Sequence, residues 1–188
     1  MSLEKQSAGE KEAAEPKKTW KDRIPTLIAV TTLVFAVCAT LASFKAGSFS
    51  NKMVLTQSQA SDQWAFYQAK SIKETAYQTQ RDAMDLARQG FPTLESTYHD
   101  KIAAYDKEVA RYKKEKNEIM DEAKKLEAAR DRYQAHGVRF GEALILLQIG
   151  ILLSSLAAIS KNHYYWYGGA GAGLVGVAAF LYALTMAA

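Results

Sequence analysis

The chain has 188 residues, a formal net charge of +4 and a mean hydropathy of −0.21. These averages hide a segregation, because the apolar residues are gathered in three blocks while the charges lie outside them. Basic and acidic residues nearly balance in the polar stretches, six against five over residues 1–23 and seventeen against fifteen over 45–142, which excludes a polybasic tract of the kind that holds nucleic acid. The length allows one domain, or one membrane unit joined to one extramembrane unit.

Residues 1–23 read as a polar, flexible tail. Ile24 to Phe44 follow as twenty-one residues without a charge, enough to cross a hydrocarbon layer of about 30 Å at ~20 residues per crossing. Trp20 stands at the expected interface, Lys17, Lys18, Lys21 and Arg23 precede the block, and Lys45 closes it. Pro25 is placed in the first helical turn, where a missing N–H costs nothing. The block is longer than the ~7–15-residue core of a cleavable signal, so it reads as a retained anchor. Its single cysteine, Cys38, has no intrachain partner and reads as inert packing in lipid.

Residues 45–141 predict a helical hairpin. No glycine or proline lies between Ser48 and Gln89 or between Thr93 and His136, and these are the residues that break helix interiors. Gln89-Gly90-Phe91-Pro92 supplies a turn within 89–93, and Thr93 can cap the second arm. An arm of about 40 residues reaches roughly 60 Å. In the second arm Tyr98, Tyr105, Tyr112, Ile119, Leu126, Tyr133 and Phe140 recur every seven residues, with Ile102, Val109, Lys116, Ala123, Arg130, Gly137 and Leu144 between them. This is a coiled-coil-like seam that runs on into the next apolar block. Lys116 and Arg130 interrupt it and call for acidic partners or water. The first arm offers two stripes: a mostly alanine seam, Ala65, Ala69, Ile72, Ala76, Thr79, Ala83 and Leu86, and a second stripe of Met53, Ala60, Trp64 and Tyr67. The alanine seam suits the bulky tyrosines opposite. Two stripes exceed what one partner helix buries, so the other is expected to meet a neighbouring copy.

The second membrane segment is read as 142–160 and the third as 164–188, joined by a link so short that they form a tight hairpin. Tyr164, Tyr165, Trp166 and Tyr167 suit the headgroup level. Gly169 and Gly173 form a GxxxG pair, continued by Ala172 and Gly176, that lets helices approach closely. The basic residues ahead of the first segment place the N-terminus in the cytoplasm and the hairpin in the periplasm. Lys124, Lys125, Arg130, Arg132 and Arg139 ahead of the second segment argue for the reverse, but the first segment usually dominates.

The string Gln59-Ala-Ser-Asp-Gln-Trp-Ala-Phe-Tyr-Gln-Ala-Lys-Ser-Ile-Lys73, with Ser50-Asn51 and Leu146-Leu-Gln-Ile149, resembles a membrane-protein family known as domain of unknown function 4337. The resemblance implies a bacterial origin and an inner-membrane location, and no activity. The fold expected is an all-α membrane protein with three transmembrane helices and a long antiparallel helical hairpin between the first and second.

Chemistry is sparse. His99, His136 and His163 lack a second metal-type ligand three or four residues on, and no phosphate loop or nucleophile motif is present. No catalytic, cofactor or metal residues are assigned. Glu142 and Gln148 are the polar groups in or beside the membrane segments, where such groups are costly and often functional. Trp64, Tyr67, Gln68 and Lys70 form a candidate recognition patch, and packing is its simpler explanation. These readings favour a non-enzymatic scaffold whose partners are the bilayer and further copies of itself. The alternatives are a channel or transporter subunit drawing on Thr31, Thr32, Thr40, Gln148, Ser154 and Ser155, and a sensor or adaptor whose hairpin binds another protein.

Overall fold

The computed structural model describes residues 20–90 and 95–187. Three helices account for nearly all of them, and no strand occurs among the described residues: α1 is Trp20–Gly90, α2 is Glu95–Ser160 and α3 is His163–Ala187. The first apolar block and the first arm are therefore one helix of 71 residues, about 107 Å long at 1.5 Å per residue. The second arm and second block are likewise one helix of 66 residues. Neither Gly47 nor the Gly137–Gly141 pair interrupts them. The polar tail is shorter than read, since Trp20 to Arg23 already belong to α1. Pro25 consequently sits in the second turn rather than the first, where its ring removes the bond to the Lys21 carbonyl. Residues 1–19 and 91–94, including the proposed Thr93 cap, lie outside the described residues.

All three helices are long and apolar enough to cross a membrane. Their large apolar side chains face outward there: Leu33, Leu152, Ile159 and Leu174 are 65–82% exposed. A helix apolar on all sides suits lipid, not water.

What pairs α1 with α2 is a seven-residue rhythm. Starting at Ile28 and stepping alternately four and three residues to Arg88, every position of α1 is buried or half-buried. The same rhythm from Tyr98 to Ser154 marks the buried face of α2. A straight helix drifts by ~20° per heptad against this period, so faces that stay together over so many turns wind around each other with a left hand. The antiparallel register is constant, and facing residues have numbers adding to about 190, from Tyr77 with Tyr112 to Phe49 with Phe140.

This seam corrects one reading of the first arm. Ala65, Ala69, Ile72, Ala76, Thr79, Ala83 and Leu86 do not face the tyrosines; all seven are exposed, on the side of α1 away from α2. The stripe that turns inward is the one through Met53, Ala60, Trp64 and Tyr67. The register is inherited from the apolar block of α1, whose inward positions Phe35, Ala39 and Ala42 continue without a break into Ala46 and Phe49.

α3 returns along α2 after a two-residue link. Lys161 adopts a left-handed backbone, φ 53°, and the Asn162 side-chain oxygen accepts the Tyr164 N–H at 3.1 Å, capping α3. The glycines of α3 are used inside the chain. A Cβ on Gly150 of α2 would stand 2.8 Å from the Gly173 Cα, one on Gly169 would stand 2.9 Å from the Ser154 Oγ, and one on Gly176 would stand 2.9 Å from the Leu147 side chain. The Phe35 ring of α1 fills the space that a Gly173 side chain would need. Gly150→Ala is therefore expected to destabilise the α2–α3 pair by about 1–3 kcal/mol through overpacking, whereas Gly171→Ala, with open space around it, leaves stability unchanged; thermal unfolding in lipid nanodiscs distinguishes the two.

Candidate interaction surface

The arms are held by polar contacts threaded through aromatic rings. Lys116, expected to need an acidic partner, has one in Glu74: the ion pair spans 2.5 Å, with side chains only 18% and 10% exposed. Hydrogen bonding to Glu74 raises the Lys116 pKa. Arg130 is satisfied differently, donating to the Gln57 side-chain oxygen at 2.7 Å and to the adjacent Asp131. One turn from the central pair, Lys70 meets Glu115 at 2.6 Å. The hydrogen bond from Lys70 holds the Glu115 carboxyl below its usual range. Neither Glu74 nor the Lys70–Glu115 contact was foreseen, although the constant antiparallel register places Glu74 opposite Lys116.

The aromatic candidates belong to this seam. The Trp64 indole N–H donates to Glu127 at 2.9 Å, and its ring stands edge-on to Tyr67 at 5.5 Å. Tyr67 in turn lies beneath the Lys116 ammonium. Tyr112 is buried and stacks on Tyr77 at 5.6 Å, with Lys70, Lys73 and Arg111 around its ring. Tyr105 packs against Tyr77 at 6.0 Å, and Tyr98 continues the line half-buried. Trp64, Tyr67 and Lys70 thus join the arms to each other, while Gln68 points outward. Where arm meets apolar block, Phe49, Phe140 and Phe180 bring all three helices together at ring separations of 5.8 and 6.0 Å. His136 lies on Phe49 in this cluster. Among the described residues no three His, Cys, Asp or Glu side chains come together.

The polar groups of the apolar segments do not share one face. Thr31, Thr32 and Thr40 bond to carbonyls of their own helix. Thr31 also accepts the Trp166 indole N–H at 3.3 Å, and Ser154 is buried against Gly169. Glu142 and Gln148 are exposed. Gln148 lines a shallow outward groove with Thr40, Ser43, Phe44, Ala39 and Leu144. Cys38 is free and half-buried. A larger groove of about 680 Å³ opens at the other end, between Ile24, Pro25 and Ile28 of α1 and Ala157, Ala158, Lys161, His163 and Tyr167.

The chain is thus an all-helical protein in which two helices serve both as membrane-length segments and as arms. It belongs to the family described as a domain of unknown function (DUF4337), whose model matches residues 25–186, nearly its full length. No curated protein and no solved structure matches it.

Two outcomes follow for the arms. Lys116→Met alone leaves a buried carboxylate and should lower stability by about 3–5 kcal/mol, whereas the double change with Glu74→Leu should recover most of the loss, as replacing both members of a buried pair often does; chemical unfolding followed by circular dichroism measures both. Because the Glu115 pKa is lowered on folding, its contribution is present above the unfolded value and lost as pH falls through the folded one. The melting temperature of the arms should then start to drop as pH falls below the unfolded glutamate value of about 4.3, with a shallower drop in Glu115→Gln.

Proposed function

We propose that this chain is a non-enzymatic structural protein of the bacterial inner membrane, which homo-oligomerises through its spans and hairpin and holds a stiff helical arm away from the bilayer. The observation that carries the reading is the continuity of arm and apolar segment in both α1 and α2. With no flexible joint at the boundary, copies that meet in the membrane have their arms already aligned, and copies that meet at the arms have their spans aligned. Each contact is made without a further entropy cost for ordering a linker. The exposed apolar face of the first arm supports self-association. In this reading the N-terminus is cytoplasmic and the hairpin periplasmic. The GxxxG residues Gly169 and Gly173 are engaged with α2 and Phe35, so the association uses other surfaces.

Mass measurement of the full chain in detergent and in nanodiscs tests this. A discrete oligomer that survives dilution is expected, and a monomer under both conditions contradicts the proposal.

A further inference from the structure

The outward sides of the two long helices are unlike. On α2, the positions two residues beyond each seam residue from Asp100 to Glu142 are all exposed, and ten of the thirteen are charged. That is the ordinary composition of a water-facing lane. The corresponding lane of α1 runs from Val30 through Val34, Val37, Leu41 and Phe44 to the arm, ending at Leu86. Of its seventeen positions all but Ser48 are exposed, and Asp62 is the one charge. Between Ala65 and Leu86 it carries none, and Ile72 and Leu86 are 71% and 69% exposed there. A helix that needed only water on that side would not keep a seven-residue apolar period over it.

Resting on the oligomeric reading above, we infer that this lane of α1 is the surface on which a second copy of the chain docks, with the two α1 helices parallel and in register. Three features select that occupant. The lane is continuous from apolar block to arm, and a helix fixed in the same membrane places each residue of one copy at the height of the same residue in the other. Two lanes with a common seven-residue period then mesh along their length. Alanine at the contact allows axes to approach to about 8 Å, the close end of the usual range.

The flanks are compatible with that register. Across a parallel contact the neighbouring pairs are Gln68 with Lys73, Thr75 with Gln80 and Asp82 with Ala87 of the other copy, and none joins like charges. Finally, α2 occupies the opposite face of α1, and α3 reaches α1 at Phe35 and Thr31. Neither obstructs the lane, and the product is a row of four helices with the charged faces of both α2 helices outermost. Within the lane itself Asp62 would face its own copy, the one like-charge pair of the contact, and with Ser58 and Asn51 it separates a membrane section from an arm section.

The test is cysteine cross-linking of the full-length protein in native membranes, with Cys38→Ala as background. Ala69→Cys, Ala76→Cys and Ala83→Cys are made separately, and Lys114→Cys on the outer face of α2 is the comparison. Parallel docking brings like positions within disulfide reach, so each lane variant should give a cross-linked dimer while Lys114→Cys gives none. Cross-linking at one lane position alone would mean antiparallel arms and overturn the inference. So would an oligomer, established by mass, whose lane cysteines stay free or link only to a different protein; self-association would survive that result, but this surface would not. Ala76→Lys gives a second reading: it should dissociate the dimer without altering the helical signal or melting of the separated chain, because α2 does not touch that position.

Discussion

Everything in this molecule hangs on the contact between α1 and α2. It keeps a seven-residue period across the point where α1 and α2 turn from apolar, membrane-length segments into polar arms, and the chemistry of the contact changes there. Below the boundary it is apolar, with Phe35, Ala39, Ala42, Ala143 and Leu147 in one buried cluster. At the boundary it is aromatic, with Phe49, Phe140 and Phe180 touching. Along the arm it is ionic and aromatic together, with the Glu74–Lys116 pair over Tyr67, and Tyr77 stacked on Tyr112. The geometry is common to all three regions because the period is, and this lets one helix act as both anchor and arm.

That change of chemistry explains what could be read from the sequence and what could not. The seam of α2 was legible because its markers are large: Tyr98, Tyr105, Tyr112, Tyr133 and Phe140 outline it even where Lys116 and Arg130 intrude. The seam of α1 was not, because its inward positions in the arm include Thr56, Gln63, Lys70 and Glu74, while the outward positions from Ala65 to Leu86 are, apart from Thr79, alanine, isoleucine and leucine. Hydropathy alone assigns those two faces the wrong way round. The missing information was the partner: Glu74 is a sensible inward residue only when Lys116 faces it. Carrying the register up from Phe35 and Ala42, or pairing the hairpin outward from its turn, would have oriented the helix correctly.

The glycines illustrate a related point. Gly169 and Gly173 were recognisable as a close-packing face, but a small-residue pair does not say whether its partner is in the same chain. The partner is Gly150 with Ser154, a small-xxx-small pair in α2, together with Phe35 from α1. With that face used internally, the apolar face left over on the arm becomes the more informative feature. Of the polar residues in the apolar segments, Thr40, Ser43 and Gln148 line an outward groove.

The central claim is that arm and anchor are single, unbroken helices joined by one seam. Hydrogen exchange of the full chain in nanodiscs, read residue by residue across 45–52 and 137–144, tests it most directly. Amides at these two crossings should be protected as strongly as those of the arms on either side. Fast exchange confined to Gly47 and to Gly137–Gly141 would reveal a hinge, and the account of a rigid arm fixed to its anchor would be wrong.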